Sequence, residues 1–460
     1  MKKFEKFIAI IISAVMVLSL VACSGKEPPK ETVKQTEKPQ NEEPKSDNPT
    51  KITFWFSMGG TNMEILESII KGFNDSQDKI IVEGTYQGSY EESINKLKTV
   101  GGTKEAPTLI QVYDGGTLFM KNSGFFIPVQ QFIDKENFDI SVLEPAITSY
   151  YTDYEGNLNS MPFNSSEPVM YYNKDMFKAA NLDPEKPPLT LDEIADYASK
   201  LTIRNGNTVE TYGFTMMIHA WFFEQIMANT GELYVNNDNG RKDIPTEAVF
   251  DNEKGLKFFQ WLDKMYREGT ATSYGRGWNE FRTAFLGEKV AICFDSSANL
   301  AAAIKTAPFE VGTVRLPTIE GNDPQGCPVG GASLWMLKGP SEAEQQAAWE
   351  FIKYLTKPEV QADWHIKTGY FPINKEAYNL QNVKDNLVQY PQFKAPIDQV
   401  QNTKISPATQ GVLVLNMQAI RDEVNTCLEG LFEGILTPED ALKKASQGVT
   451  KVLETDAKMQ

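Results

Sequence analysis

The sequence predicts an α/β fold of more than one domain, with a mainly parallel sheet. Three observations carry this expectation. The chain has 460 residues, too many for one small core. Between residues 51 and 113, strand-like and helix-like segments alternate in the manner of βαβ units. Farther on, helix-start signals recur between short apolar strands, and no repeat of solenoid period is present.

Residues 1–6 are basic, and an apolar run from Phe7 to Val21 follows, broken only by Ser13 and Ser19. That length suits the apolar core of a signal peptide and is short for a spanning helix. Leu20-Val21-Ala22-Cys23 is similar to the signal of bacterial lipoproteins, which implies cleavage before Cys23 and lipidation of its thiol. An ordinary secretory signal or an N-terminal anchor helix is the competing reading. Loss of residues 1–22 removes a net charge of +2, so the −16 of the whole chain becomes −18 over 438 residues. Residues 24–50 contain no aromatic residue and one aliphatic residue, Val33. Such a segment cannot bury enough apolar surface to offset its ordering entropy. It is expected to be a disordered tether, with a reach of roughly 30 Å.

The body is predicted to open with a strand at 51–56 and a helix at 63–74, where Ile65, Ile69, Ile70 and Phe73 fall at helical spacing. A strand at 80–86, a helix at 90–99 and a strand at 108–113 follow. Ligands of such sheets sit beyond the carboxyl ends of strands, where Tyr90 and Asp114 lie. Residues 160–169 have little helical character. Thr190 with Glu193, and Ser341 with Glu344, have capping-box spacing. Thr437-Pro438-Glu439-Asp440 places proline at a first helical position, with acids near the positive end of the dipole. Further strands are predicted at 290–294, 310–314 and 333–337, and the last third reads as mostly helical.

Composition excludes several functions. With 45 basic against 61 acidic side chains, the chain lacks the positive face that a phosphate backbone requires, so no nucleic-acid partner is expected. Four cysteines, one in the signal box, do not make a disulfide scaffold or a four-thiolate metal site. The two histidines, His219 and His365, leave little room for histidine-based chemistry.

Several stretches then occur in order. They are Phe54-Trp55 with Ser57-Met58, Gln111-Val112-Tyr113, Pro162-Phe163-Asn164-Ser165-Ser166 and Tyr171-Tyr172-Asn173-Lys174-Asp175. Gly330-Gly331-Ala332-Ser333-Leu334-Trp335, Trp364-His365 with Lys367-Thr368-Gly369-Tyr370, and Asn416-Met417 with Ile420-Arg421 follow. Together they resemble the extracellular solute-binding family of ATP-binding-cassette importers, in its glycerol-3-phosphate-binding branch. The resemblance covers residues 51–455. It implies a two-lobe periplasmic-binding-protein-like fold, with a ligand cleft between lobes joined by hinge strands and closing by hinge motion. Crossings are expected near 163–168, 294–299 and 338–341. That assigns 51–163 plus 297–339 to one lobe and 167–294 plus 341–460 to the other. The implied partners are permease subunits with cytoplasmic ATPases, for a monomer anchored by lipid to the outer face of the bacterial cytoplasmic membrane. No cofactor, metal or catalytic residue is implied.

The resemblance also assigns ligand contacts residue by residue. Arg421 matches the family's phosphate-binding arginine, in a chain with seven arginines and 38 lysines. Taken alone it would read as a solvated helix arginine. Ser166 and Ser296 match hydroxyl donors and would otherwise read as caps or turn residues. Gly331 matches a backbone donor, and Tyr370 a phenol donor that would otherwise be a half-buried core residue. Tyr90 and Asp114 match a tyrosine and a glutamate of the other lobe. Asp114 is one methylene shorter than that glutamate, so a hydroxyl contact is lost, moved or bridged by water. Asp114 also reads as a turn residue before Gly115-Gly116. Trp221 matches one of two cleft tryptophans, and Ile218 stands where the other is expected. A smaller side chain there implies a wider cleft that admits glycerophosphodiesters, such as glycerophosphocholine, alongside or instead of glycerol-3-phosphate.

Two rival functions remain open. A phosphodiester hydrolase needs an activated nucleophile or a metal, and the sequence has no Gly-x-Ser-x-Gly, His-Glu-x-x-His or P-loop pattern. A mono- or oligosaccharide-binding lipoprotein would use Trp55, Trp221 and Trp278 for stacking. Cys293 reads as a buried thiol, and pairing of Cys327 with Cys427 is not decided by spacing.

Overall fold

The computed structural model describes residues 48–153 and 155–459. The signal, the lipid-box cysteine and nearly all of the tether lie outside the described residues. Among the described residues, twelve strands form two mixed sheets of six. They are β1 (Thr50–Phe56), β2 (Ile80–Tyr86), β3 (Leu109–Tyr113), β4 (Phe126–Ile127), β5 (Met161–Ser166), β6 (Pro168–Asn173), β7 (Ile203–Asn205), β8 (Thr208–Thr215), β9 (Ala271–Thr272), β10 (Val290–Ser296), β11 (Val311–Arg315) and β12 (Gly330–Leu337). The first sheet has the order β2-β1-β3-β12-β4, with β5 also on β12; the second has the order β11-β6-β10-β8-β7, with β9 on β8. Among the described residues no helix is long and apolar enough to cross a membrane.

The expected elements form where local chemistry dictates. In β1, Ile52, Phe54 and Phe56 face the core while Lys51 and Thr53 face water, the alternation of a half-buried strand. The helix after it, Gly60–Asp75, buries Leu66, Ile69, Ile70 and Phe73 against the sheet. Both predicted capping boxes are made, at Thr190 with Glu193 and at Ser341 with Glu344, and a third closes at Ser89 with Glu92. Thr437 caps the final helix, with Pro438 in its first turn.

The sheets depart from the mainly parallel expectation. β1 lies parallel to β2 and β3, and β8 to β9 and β10, but β12 runs antiparallel to β3, β4 and β5, and β6 antiparallel to β10 and β11. The four strands that flank the changes of sheet, β5, β6, β11 and β12, all pair antiparallel, as β7 does with β8. A single residue, Glu167, separates β5 in the first sheet from β6 in the second, so the crossing near 163–168 falls where expected.

The other two crossings fall elsewhere. After β10 the chain makes a short turn and the Leu300–Thr306 helix, then returns to the same sheet as β11. The next change of sheet lies between β11 and β12, over residues 316–329, and not at 294–299. Nor does the chain cross at 338–341. The Glu342–Leu355 helix stays on the first sheet, where Phe351 meets Phe54 and Phe73 with ring centroids 5.9 and 5.1 Å apart. The boundaries at 297–339 and 341–460 are therefore corrected: 311–315 belongs with the second sheet, and 342–368 packs on the first. The physical reason is apolar burial, since Trp349, Phe351, Ile352 and Trp364 share a core with Phe54 and Phe163. The second core gathers Phe222, Phe223, Phe258 and Phe294 with the C-terminal helices.

Candidate functional site

Strand and helix ends from both sheets converge on one cleft of about 1030 Å³. All eight sequence-expected residues line it: Tyr90, Asp114, Ser166, Trp221, Ser296, Gly331, Tyr370 and Arg421. The first sheet delivers Asp114 just beyond β3, Ser166 at the end of β5 and Gly331 at the start of β12; the second delivers Ser296 at the end of β10. Tyr90 opens the capped Tyr90–Val100 helix. Trp221 lies in the first turn of the Ala220–Asn229 helix, where His219 Nδ1 accepts the Trp221 N–H at 3.1 Å.

Gly331 has φ +99°, and a Cβ there would stand 1.9 Å from the Asn164 carbonyl oxygen. Only glycine lets β12 approach β5 so closely. Next to it, a Cβ on Gly330 would stand 3.0 Å from the Trp221 indole.

Arg421, on the Met417–Phe432 helix, is buried and held by two carboxylates. Its Nε and Nη2 donate to Glu224 Oε1 and Oε2 at 2.9 and 2.8 Å, and Nη2 also donates to Asp114 Oδ2 at 3.3 Å. The reading of a solvated helix arginine is thereby overturned. Burial pulls its proton affinity down, and the Glu224 carboxylate more than restores it, leaving the guanidinium well above its ordinary range. The Asp114 pKa is raised as well, which for a carboxylate disfavours the charged form. Burial raises its pKa, and Arg421 opposes only part of that rise. It also begins a tight turn whose carbonyl accepts from Tyr150 Oη at 2.8 Å, as the turn reading expects.

The hydroxyl donors are neutral. Burial raises the pKa of Tyr90 and Tyr370, so both phenols keep their protons. Asn164 orients this corner: its Nδ2 donates to Tyr90 Oη at 3.1 Å, and its Oδ1 accepts from Gln111 Nε2 at 2.7 Å. The Tyr370 ring stacks on Trp364, which stacks on Phe163, with centroids 5.4 and 5.2 Å apart. Ser296 Oγ accepts from the Ala298 N–H at 3.2 Å, which leaves its O–H to donate.

Ile218 does not face the cleft. It is buried in the second core, with its N–H on the Gly275 carbonyl at 3.0 Å, so it does not widen the cavity. Trp278 stands in the cleft near this loop, its ring centroid 6.2 Å from those of Trp221 and His219. A second tryptophan is thus present, brought by the Trp278–Leu286 helix. Arg282 and Glu224 were not anticipated from sequence. A glutamate within the mostly apolar run Ala220–Ala228 is the available signal for Glu224, and arginine scarcity for Arg282. His219 is held near pKa 3 and His365 near 4, both by burial, and Cys293, Cys327 and Cys427 are free and buried. The open question of a Cys327–Cys427 pair is answered by that: neither is bridged.

The fold agrees with what comparison with known proteins finds. The family model described as bacterial extracellular solute-binding protein matches residues 68–395. The chain belongs to that family. This solute-binding protein is 36% identical over 399 residues to the sn-glycerol-3-phosphate-binding periplasmic protein UgpB of Yersinia pseudotuberculosis, covering 85% of this chain and 90% of that one. The protein of the same name from Escherichia coli K12 is 34% identical over 410 residues, covering 88% and 92%. Among solved structures, UgpB of Mycobacterium tuberculosis in complex with glycerophosphocholine superposes with a TM-score of 0.73 at 19% identity, over 90% of this chain and all of that one. The cyclic alpha-maltosyl-1,6-maltose binding protein of Arthrobacter globiformis superposes with 0.72 at 20% identity, over 88% and 100%. At those identities the superpositions carry the two-lobe fold alone.

Proposed function

We propose that this solute-binding protein captures sn-glycerol-3-phosphate or a glycerophosphodiester in the cleft and delivers it to the permease of an ATP-binding-cassette importer. The observation that carries the reading is the convergence of eight residues, remote in sequence, on one cavity. Ser166, Ser296, Tyr370 and the Gly331 backbone offer neutral donors for phosphate oxygens, and Arg421 offers charge. The Arg421–Asp114 contact is the longest of the three that hold the guanidinium. A bound phosphate displaces it, and Asp114 is then free to accept a glycerol hydroxyl. Trp221 and Trp278 cover the carbon face of the ligand. The protein acts by binding and release, not by turnover, and Cys23 carries the lipid that holds it at the outer face of the membrane.

Calorimetry on the full-length protein tests this. Heat is expected with sn-glycerol-3-phosphate and none with maltose, and R421A should weaken the phosphate ligand by at least a hundredfold, on the order of 3 kcal/mol for a lost charge-assisted contact left unpaired. Binding of maltose, with R421A indifferent to phosphate, selects the oligosaccharide reading that the Trp221–Trp278 wall also suits. Release of glycerol phosphate from a diester refutes a pure binding role.

A further inference from the structure

Two buried amides behind the cleft carry a direction as well as a position. The chain of hydrogen bonds begins at the Ser57 N–H, just beyond β1, which donates to Gln111 Oε1 at 2.8 Å. A backbone N–H can only donate, so the Gln111 amide has one admissible orientation, with its oxygen toward Ser57. Its Nε2 is then left to donate to Asn164 Oδ1 at 2.7 Å. That contact fixes the second amide in turn, and Asn164 Nδ2 donates to Tyr90 Oη at 3.1 Å. Reversing either amide would set donor against donor. Gln111 on β3 and Asn164 on β5 are both buried, so water does not offer them substitute partners.

Tyr90 is therefore an acceptor toward Asn164, and its own proton is turned away from that amide. The ring is held in place by Tyr113, on which it stacks with centroids 5.4 Å apart and planes inclined by 18°. Tyr90 and Tyr370 line the cleft, whereas Gln111 and Asn164 do not. Burial raises the pKa of Tyr370, and hydrogen bonding from Asn164 and Tyr90 opposes that rise, so the second phenol also receives donors from this network. A Tyr90 proton passed to Tyr370 frees the Tyr370 proton, and the pair offers a donor to the cleft in either arrangement.

We infer that Gln111 and Asn164 are positioning residues that fix Tyr90 as a proton donor, so that this corner of the cleft selects an acceptor oxygen, such as that of a phosphate, over a group that can only donate. Neither residue touches the ligand. Their effect passes through the direction of one phenolic proton.

The inference deepens the phosphate reading above and rests on it. The probe is sn-glycerol-3-phosphate, titrated calorimetrically into full-length wild type, Y90F, Q111L and the double variant. Y90F is expected to weaken binding about tenfold, the loss of one hydrogen bond to a charged oxygen. In Q111L the Asn164 amide is free to turn its oxygen to Tyr90 and take up that proton. Adding Y90F to Q111L should then cost less than threefold. A Gln111 that merely packs would leave the Tyr90 contribution intact. Equal costs of Y90F in the two backgrounds, or no cost in wild type, therefore overturn the relay while the phosphate reading stands. No heat from wild type overturns both. Should Q111L fail to fold, replacement of Tyr90 alone by 3-fluorotyrosine decides the direction of the proton. The more acidic phenol donates more strongly and accepts more weakly, so affinity should rise, and an unchanged or lower affinity overturns the inference.

Discussion

Glu167 is a single residue with an outsized position, since it alone joins β5 to β6. Its carboxyl is fully buried; Gln399 Nε2 donates to Oε2 at 2.7 Å, and Oε1 has no hydrogen-bond partner. Burial pushes its pKa up to about 8, and the hydrogen bond from Gln399 offsets only part of that. The folded state therefore keeps a proton that the unfolded chain loses near the ordinary carboxylate pKa. Stability from this group is full below about pH 4.5, declines by about 1.4 kcal/mol for each further pH unit, and is gone above about pH 8. In E167Q, which is neutral at every pH, the melting temperature should match wild type near pH 4.5 and exceed it increasingly up to pH 8. A constant gap across that range in thermal melts would rule this account out.

Legibility in the sequence was uneven at this scale. Ser166, Gly331 and Tyr370 sit inside short contiguous motifs, so one stretch of residues was enough to find each. Arg282 and Trp278 lie four apart on an ordinary-looking amphipathic helix. What distinguishes them is Asp295 on a strand reached after a turn, a contact that no spacing rule anticipates. Ile218 was misplaced for the opposite reason: its position along the chain was matched, but its side chain turns into the core.

Among the elements, β12 has the tightest requirements. It pairs with β3, β4 and β5, and its register against β5 shifts between Ala332 and Ser333. The Gly331 position needs both a positive φ and the absence of a Cβ. G331A should cost at least about 1–2 kcal/mol from the left-handed backbone alone, and more because β12 must move away from Asn164. Denaturant unfolding should reveal that loss, together with weakened phosphate binding, since the same shift displaces a cleft donor. A fully stable G331A with wild-type affinity would remove Gly331 from the site. Helix starts were readable from capping chemistry because caps are local; strand directions were not, because the pairing partner of β12 lies far away in sequence.

For the molecule as a whole, the Arg421–Asp114 contact joins a helix of the second core to a turn of the first sheet. A cleft of about 1030 Å³ stands at the upper end of ordinary ligand cavities, and is far larger than a glycerol phosphate. Closure around the ligand follows if the crossings at Glu167 and at residues 316–329 act as hinges. Small-angle scattering should then record a smaller radius of gyration at saturating sn-glycerol-3-phosphate and no change for R421A. Unaltered scattering from a protein that gives full binding heat would mean that the lobes do not move.

The order in which the strands are synthesised has its own consequence. β12 is the last strand of the chain, yet it occupies an interior place in the first sheet, between β3 and β4. While a ribosome is still extending the chain, β1, β2 and β3 have no central partner and cannot close their core. The first sheet cannot close until Gly330–Leu337 has been made, as expected when the decisive pairings are long-range. In a chain of an extracellular family, a late central strand favours an unfolded state while the earlier strands await their partner.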